Sequence, residues 1–220
     1  GAVLDILDVE RIEVLRGPQG TLYGRNTIGG AIKYVTKPLS FEDPTLDLSV
    51  SGGSYGQLDY TARGSIPLSD TFAIGGAFGR FTRDGYGENL FTGADHYDKD
   101  VTTVRFNAEW EPAENWSLRF AYDRTDDESN AKHGHRLLPD AAGLFPVTED
   151  VFDTRAGIGD RNSVETEGVS LTAEWRINDI FTAKSITAWR EGETFTPIDF
   201  DALPQPDFDG HVRTQDLWGF

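Results

Sequence analysis

VERIEVLRGPQGTLYGRNTIGGAIKYVTKP (residues 9–38) says more about this protein than any other segment of its 220 residues. Val9-Glu10-Arg11-Ile12-Glu13-Val14-Leu15 is a charged, alternating run with the pattern of a strand. It meets Arg16-Gly17-Pro18, where Pro18 after Gly17 fixes a turn. Gly20, Tyr23-Gly24, Asn26 and Gly29-Gly30 follow, and then a second apolar run, Ala31-Ile32-Lys33-Tyr34-Val35-Thr36-Lys37-Pro38. Gly17, Gly20, Gly24, Gly29 and Gly30 permit positive φ and close backbone approach. Two strands with a glycine-rich polar connection predict a compact hairpin-like unit, which ordinary soluble domains also contain. A phosphate-binding loop is the other glycine-rich candidate. It fails because GRNTIGG, residues 24–30, lacks the Gly-Lys-Ser/Thr ending that places a lysine and a hydroxyl on phosphate and Mg²⁺.

Outward from this segment, composition narrows the classes. The chain has no cysteine, so neither a disulfide frame nor a thiolate metal site is open to it. It has no methionine, even at position 1, which leads us to expect a processed form or a fragment. No signal peptide and no run of about 18 apolar residues is present, which excludes a transmembrane helix but not a membrane barrel. The net charge of −17 argues against a partner bound through nucleic-acid phosphates. Twenty-four glycines, 12% aromatic residues and many Thr and Ser lean toward β structure.

After Pro38 the chain alternates apolar and polar residues. Leu46, Leu48 and Val50 alternate with Asp47, Ser49 and Ser51, and Leu58, Tyr60, Ala62, Gly64 and Ile66 with Asp59, Thr61, Arg63 and Ser65. Pro67-Leu68-Ser69-Asp70 reads as a tight turn before Phe72, Ile74, Gly76 and Phe78. Val104, Phe106, Ala108 and Trp110 form a fourth strand, and Trp116, Leu118, Phe120 and Tyr122 a fifth. Val169, Leu171, Ala173, Trp175 and Ile177 form a sixth, Phe181, Ala183, Thr187 and Trp189 a seventh, and an eighth starts near Thr214. Links after the second, fourth and sixth strands are short. Those after the third (residues 84–100), fifth (125–162) and seventh (191–210) are long. Period-two strands with long loops on one side only are the signature of an outer-membrane barrel; a soluble sandwich has no reason to keep its long loops together. The greasy faces are then expected to meet lipid, because Lys or Arg at mid-membrane costs about 2–4 kcal/mol. Arg63, Arg105, Arg119 and Arg176 are expected to face the lumen, and Trp110, Trp116, Trp175 and Tyr122 to sit near strand ends at the headgroup boundary.

Residues 9–38, with their glycine spacings, resemble the C-terminal half of the plug domain of TonB-dependent outer-membrane receptors. The resemblance implies a mainly β fold: part of an α+β plug in residues 1–40, then about 7–8 strands of a 22-strand transmembrane antiparallel β-barrel in residues 41–220, joined through residues 37–44. So few strands cannot close a barrel, and open edges are not tolerated in lipid, so a longer parent chain is expected. Active uptake of a scarce nutrient is implied, most often a ferric siderophore or other iron chelate. The implied partners are TonB with its ExbB–ExbD motor, lipopolysaccharide and a small-molecule metal chelate, in the outer membrane of a Gram-negative bacterium. Neither catalysis nor a cofactor is implied. Arg16 matches a family arginine that locks the plug to barrel carboxylates, with a solvated turn arginine as the plain alternative. Gly17, Pro18, Gly20, Tyr23, Gly24, Gly29 and Gly30 carry the plug motif, and Tyr23, Arg25 and Asn26 are ligand-contact candidates by position. A passive channel without a plug and a secreted β-sandwich binding module are the competing readings.

Remaining motifs are less specific. The lumen arginines have carboxylates on the same strand face: Asp59 with Arg63, Arg105 with Glu109, Arg119 with Asp123, and Glu174 with Arg176. They read either as a polar wall for passing solute or as a ladder of ion pairs between strands. His133-Gly134-His135, with Asp126, Asp127 and Glu128 nearby, could share a metal or suggest an Asp–His hydrolase; exposed loop histidines are the plain reading. Asp199, Asp201, Asp207 and Asp209 could bind Ca²⁺ but lack the EF-hand glycine and terminal glutamate. The acidic loops suggest divalent ions bridging to lipopolysaccharide.

Overall fold

The computed structural model describes residues 9–24, 27–205 and 209–219. β1 (Val9–Arg16) and β2 (Gly30–Thr36) pair antiparallel, with Val14 opposite Ile32 and Arg16 opposite Gly30. Their connection contains a one-turn helix, α1 (Gly20–Tyr23), which the glycine-rich composition hid. Of the five glycines, Gly17, Gly24 and Gly30 take positive φ, whereas Gly20 and Gly29 do not. Gly30 is the most constrained: at φ 138° a β-carbon would stand 2.3 Å from the Leu15 carbonyl oxygen.

The rest is one eight-stranded antiparallel sheet in chain order: β3 (Thr45–Gly52), β4 (Leu58–Ser69), β5 (Phe72–Arg83), β8 (Lys99–Ala113), β9 (Trp116–Asp127), β10 (Ser163–Arg176), β11 (Thr182–Asp199) and β12 (Asp209–Gly219). The short β6 (Gly87–Glu88) and β7 (Asp95–His96) pair within the β5–β8 loop. Links at 70–71, 114–115 and 177–181 lie at one end, and those at 53–57, 84–98 and 128–162, with residues 200–205, at the other. All the long connections therefore share one end.

Strands run further than parity suggested at several places. β4 continues through Pro67 to Ser69, so the turn is confined to Asp70 and Thr71. β11 continues through Glu191, Glu193 and Pro197 to Asp199, and the described residues 200–205 follow it outside any strand. Tyr122 is not at a strand end, because β9 continues to Asp127; it marks instead the last apolar position before Arg124.

One sheet face carries Leu46, Leu48, Val50, Ile66, Phe78, Phe106, Trp110, Phe120 and Leu171, all exposed. The opposite face is polar. Cross-strand pairing shows that the apolar band runs obliquely. The row through Val50 passes Tyr60, Arg80 and Thr102 and reaches β9 at Asp126, four residues beyond Tyr122. The row through Ile66 passes Ile74, Ala108 and Phe120 and reaches β10 at Leu171, four residues short of Trp175. Both edges thus drift by about one residue per strand step. With about 3.3 Å per residue and about 4.8 Å between strands, a level band requires strands tilted by about 35°, within the range of membrane barrels.

Beyond that band the same face turns ionic. Arg80 pairs with Asp100, Arg124 with Asp126 and Glu165 (2.9 and 2.8 Å), and Arg213 with Glu193. Tight packing lies in the loops rather than in the sheet. The largest fully buried side chains are His96, Val101, Asn89 and Thr154, and three of these four belong to loop segments.

Candidate functional site

The polar face is built by parity and then tied by cross-strand pairs. One row reads Asp47, Arg63, Ala77, Arg105, Asp123, Gly168, Arg190 across β3 to β11. Arg63 Nε donates to Asp47 at 2.8 Å. Arg190 Nη2 donates to both Asp123 oxygens at 2.8 and 2.7 Å. Small residues in this row make room for guanidinium groups: a β-carbon on Gly168 would stand 3.2 Å from Arg190 Cζ. Arg105 Nε is buried without an acceptor.

Arg119 lies 3.6 Å from Glu109, and Glu174 pairs with Lys184 at 3.3 Å. Ion pairs run across strands on this face, as in a ladder: Arg63 with Asp47, Arg119 with Glu109, Lys184 with Glu174 and Arg190 with Asp123. Distance favours this, since residues directly opposite have β-carbons about 5 Å apart, whereas the i and i+4 positions of Asp59/Arg63, Arg105/Glu109 and Arg119/Asp123 are about 13 Å apart along their strands. Arg176 lies at the short-turn end, where its Nη2 donates to the Glu114 carbonyl. Arg190 was missed because a Pro- and Asp-rich composition hid the continuation of β11. Its position directly after Trp189 was the available signal.

The chain from β2 to β3 crosses this polar face. Leu39 N–H donates to Glu109 Oε1 at 3.2 Å, and the Leu39 side chain sits where a β-carbon on Gly75 would be, 2.5 Å from Cδ2. Residues 37–40 line a shallow pocket with Thr45, Asp47, Arg63, Gly64 and Ser65. Arg16 is exposed at the end of β1 and has no carboxylate partner among the described residues. Tyr23 closes α1 and is 41% exposed. Arg25 and Asn26 lie outside the described residues.

At the loop end, residues 84–98 and 128–162 interlock through polar groups. His96 is 1% exposed; its Nδ1 donates to the Phe152 carbonyl at 2.7 Å, and its Nε2 accepts from the His133 N–H at 2.8 Å. Burial above all holds the His96 imidazolium form below its ordinary range. Asn89 Nδ2 donates to the Ala156 carbonyl and to Asp160 Oδ1, and its Oδ1 accepts from Phe91 and Thr92. Tyr86 stacks on Tyr97 and meets Tyr55 and Phe152 edge-on.

The His133/His135 pattern does not form a chelate. His133 is buried with Nε2 toward the Gly159 carbonyl, and His135 Nδ1 faces Thr148 Oγ1 at 2.9 Å. Burial pushes the Asp98 carboxyl up; burial and then nearby Asp199 push Asp201 up. Among the described residues, the carboxylates that do converge are Asp199, Asp201 and Asp209. Asp207 lies outside the described residues.

Comparison with known proteins agrees with this arrangement. Residues 1–31 match the family model of the TonB-dependent receptor plug domain. A pesticin receptor of Yersinia pestis is 36% identical over 93 residues, which are 41% of this chain and 13% of that receptor. The ferric yersiniabactin uptake receptor of Yersinia pestis superposes with a TM-score of 0.75 at 23% identity, over 97% of this chain and 32% of that one. The ferripyoverdine receptor of Pseudomonas aeruginosa, bound to ferripyoverdine, gives 0.72 at 16% identity, over 94% and 27%. The ferric-catecholate import receptor Fiu of E. coli in its open form gives 0.72 at 18%, over 96% and 34%. At these identities the solved structures establish the fold. The chain spans 13% of the length of the pesticin receptor and about a third of that of the solved ones. Residues 1–31 thus match the plug domain of TonB-dependent receptors, and the tilted, one-sided sheet that follows has the fold of such receptors' barrel wall.

Proposed function

We propose that this chain is the plug-to-barrel junction of an active outer-membrane importer for a ferric siderophore. The single observation that carries the reading is the path from the β1–β2 hairpin across the polar face of the sheet, tied by Leu39 to Glu109 and to Gly75. A stopper must attach to the inner wall of its barrel, and this linker meets the side opposite the apolar band. The boundary falls near residue 40, with the plug in 1–40 and the wall in 41–220.

Arg16, exposed and uncommitted, is the plug–barrel lock and takes its carboxylates from barrel strands of the parent chain. Tyr23, Arg25 and Asn26 contact the cargo at the plug apex. Arg63, Arg105, Arg119 and Arg176 line the lumen. TonB, driven by ExbB–ExbD, supplies the energy. The protein resides in a Gram-negative outer membrane, with the ionic belt above Tyr122 and Val169 at the level of lipopolysaccharide headgroups. It is a transporter and not an enzyme.

Deleting the gene in its host and supplying radiolabelled iron as siderophore complexes under iron limitation checks this. One complex is expected to stop entering, and uptake in the complemented strain is expected to cease when a protonophore collapses the proton gradient. Undiminished uptake of every complex, or uptake indifferent to the protonophore, would overturn the reading and favour a passive channel.

A further inference from the structure

The tip of the β11–β12 hairpin holds an electrostatic arrangement that the transport reading does not use. Asp199 and Asp209 are directly opposite each other in the strand register, and like charges so placed repel. Asp201 joins them, and one oxygen from each of the three lies within 4.8 Å of the others.

Asp199 is 5% exposed and held by three backbone donors: Asp201 N at 3.1 Å and Ala202 N at 2.6 Å to Oδ1, and Gly157 N at 3.0 Å to Oδ2. Both Asp209 oxygens are screened from solvent and accept no hydrogen bond. No Lys or Arg among the described residues forms an ion pair with any of the three. The Arg136 guanidinium, near enough to Asp201 to act on it through charge, spends its hydrogen bonds on the carbonyls of Asp201, Leu138 and Pro139. An ionised carboxylate shut away from water without a donor or a cation is costly. A cation from solution would supply the positive charge that no ion pair gives these carboxylates.

We propose that Asp199, Asp201 and Asp209 form a Ca²⁺ site that clasps the β11–β12 tip to the 128–162 loop. The donor set is all oxygen, which suits a hard cation. Three carboxylates on loop and strand-end backbone suit Ca²⁺, with its flexible coordination at about 2.3–2.6 Å, better than Mg²⁺, which demands near-ideal octahedral geometry at about 2.0–2.1 Å. The remaining coordination positions go to water or carbonyl oxygens, as is usual for Ca²⁺. The clasp acts through Gly157, whose N–H meets both Asp199 Oδ2 and the Leu203 carbonyl, each at 3.0 Å.

The intact receptor containing this chain, purified in detergent and stripped with EDTA, is titrated with CaCl₂ by calorimetry. Trypsin cleavage after Lys132, Arg155 and Arg161 in the 128–162 loop is timed in parallel. Saturable binding is expected, with cleavage slowed about tenfold at ten times the dissociation constant. MgCl₂ is expected to protect more weakly at equal concentration.

Asp209→Asn is expected to abolish both effects. Its cleavage in EDTA should be no faster than that of the wild type, because Asp209 accepts no hydrogen bond that the substitution could break. Asp201→Asn is expected to weaken binding in the same direction. Absence of Ca²⁺ binding up to millimolar concentration, unchanged binding by Asp209→Asn, or faster cleavage of that variant in EDTA would each overturn the site. None of these outcomes depends on what the receptor imports.

Discussion

Asn89 shows how single residues close the loop end. Its side chain is fully buried and satisfied, with two donated and two accepted hydrogen bonds. Asn89→Asp keeps the shape but removes both donors and sets a carboxylate against Asp160. The local opening free energy should fall by about 2–4 kcal/mol, seen as faster hydrogen exchange across residues 84–98 and 150–160. His96 supplies a pH dependence with a definite sign. Its folded-state pKa lies below the ordinary 6.5, so the loop-closing contribution is complete above that pH and is lost as pH falls through the folded value. Loop exchange should therefore quicken below about pH 6.5, and His96→Asn, which does not titrate, should flatten that part of the profile. Residue parity was legible in the sequence, and it put Arg63 and Arg105 on the face opposite the apolar one. What His133 and His135 do was not legible, because their partners are backbone groups of Gly159 and the side chain of Thr148, brought up by loop packing that leaves no periodic trace.

The elements divide in the same way. Alternation located all eight strands of the large sheet, but it lost them where Arg124, Asp126, Glu165, Glu191 and Glu193 replace apolar residues. Those positions look like loop by composition, yet cross-strand ion pairs and ladder hydrogen bonds keep them in strand. In the hairpin of β1 and β2 the controlling residue is Gly30. Gly30→Ala must change a φ of 138° and move a β-carbon away from the Leu15 carbonyl, so at least about 1–3 kcal/mol of hairpin stability should be lost. Gly29→Ala, with nothing within 4 Å, is the control. Proteolysis of the plug segment in the intact receptor distinguishes the two. In the sheet, Leu171→Arg puts a cation on the apolar face and should cost about 2–4 kcal/mol of folding free energy into lipid vesicles. Ser170→Arg, one residue away on the polar face, should cost much less. Equal penalties would mean that both faces see the same medium.

At the scale of the whole molecule, the decisive property is that the apolar band is not parallel to the hydrogen-bonded rows. A soluble sheet packed on a partner has no reason to shift its greasy edge steadily by one residue per strand. A wall in a planar bilayer must do so, because each strand crosses the membrane obliquely and its neighbour is staggered along it. Leu46 to Val50 on β3 and Trp116 to Tyr122 on β9 thus occupy one slab even though Val50 is in row with Asp126. The stacked rings of Trp116 and Trp175, 5.2 Å apart, then mark the short-turn border, and Tyr122 and Trp189 the loop border. This geometry gives a number that can be measured without knowing the cargo. Polarised infrared spectra of the intact receptor in oriented bilayers should report a mean strand tilt of about 35–45°. Depth-graded brominated lipids should quench Trp116 and Trp175 from one interface and Trp189 from the other, with all three sparing the bilayer centre. A mean tilt below about 20°, or tryptophans quenched most strongly at the midplane, is incompatible with a level slab drawn through these rows.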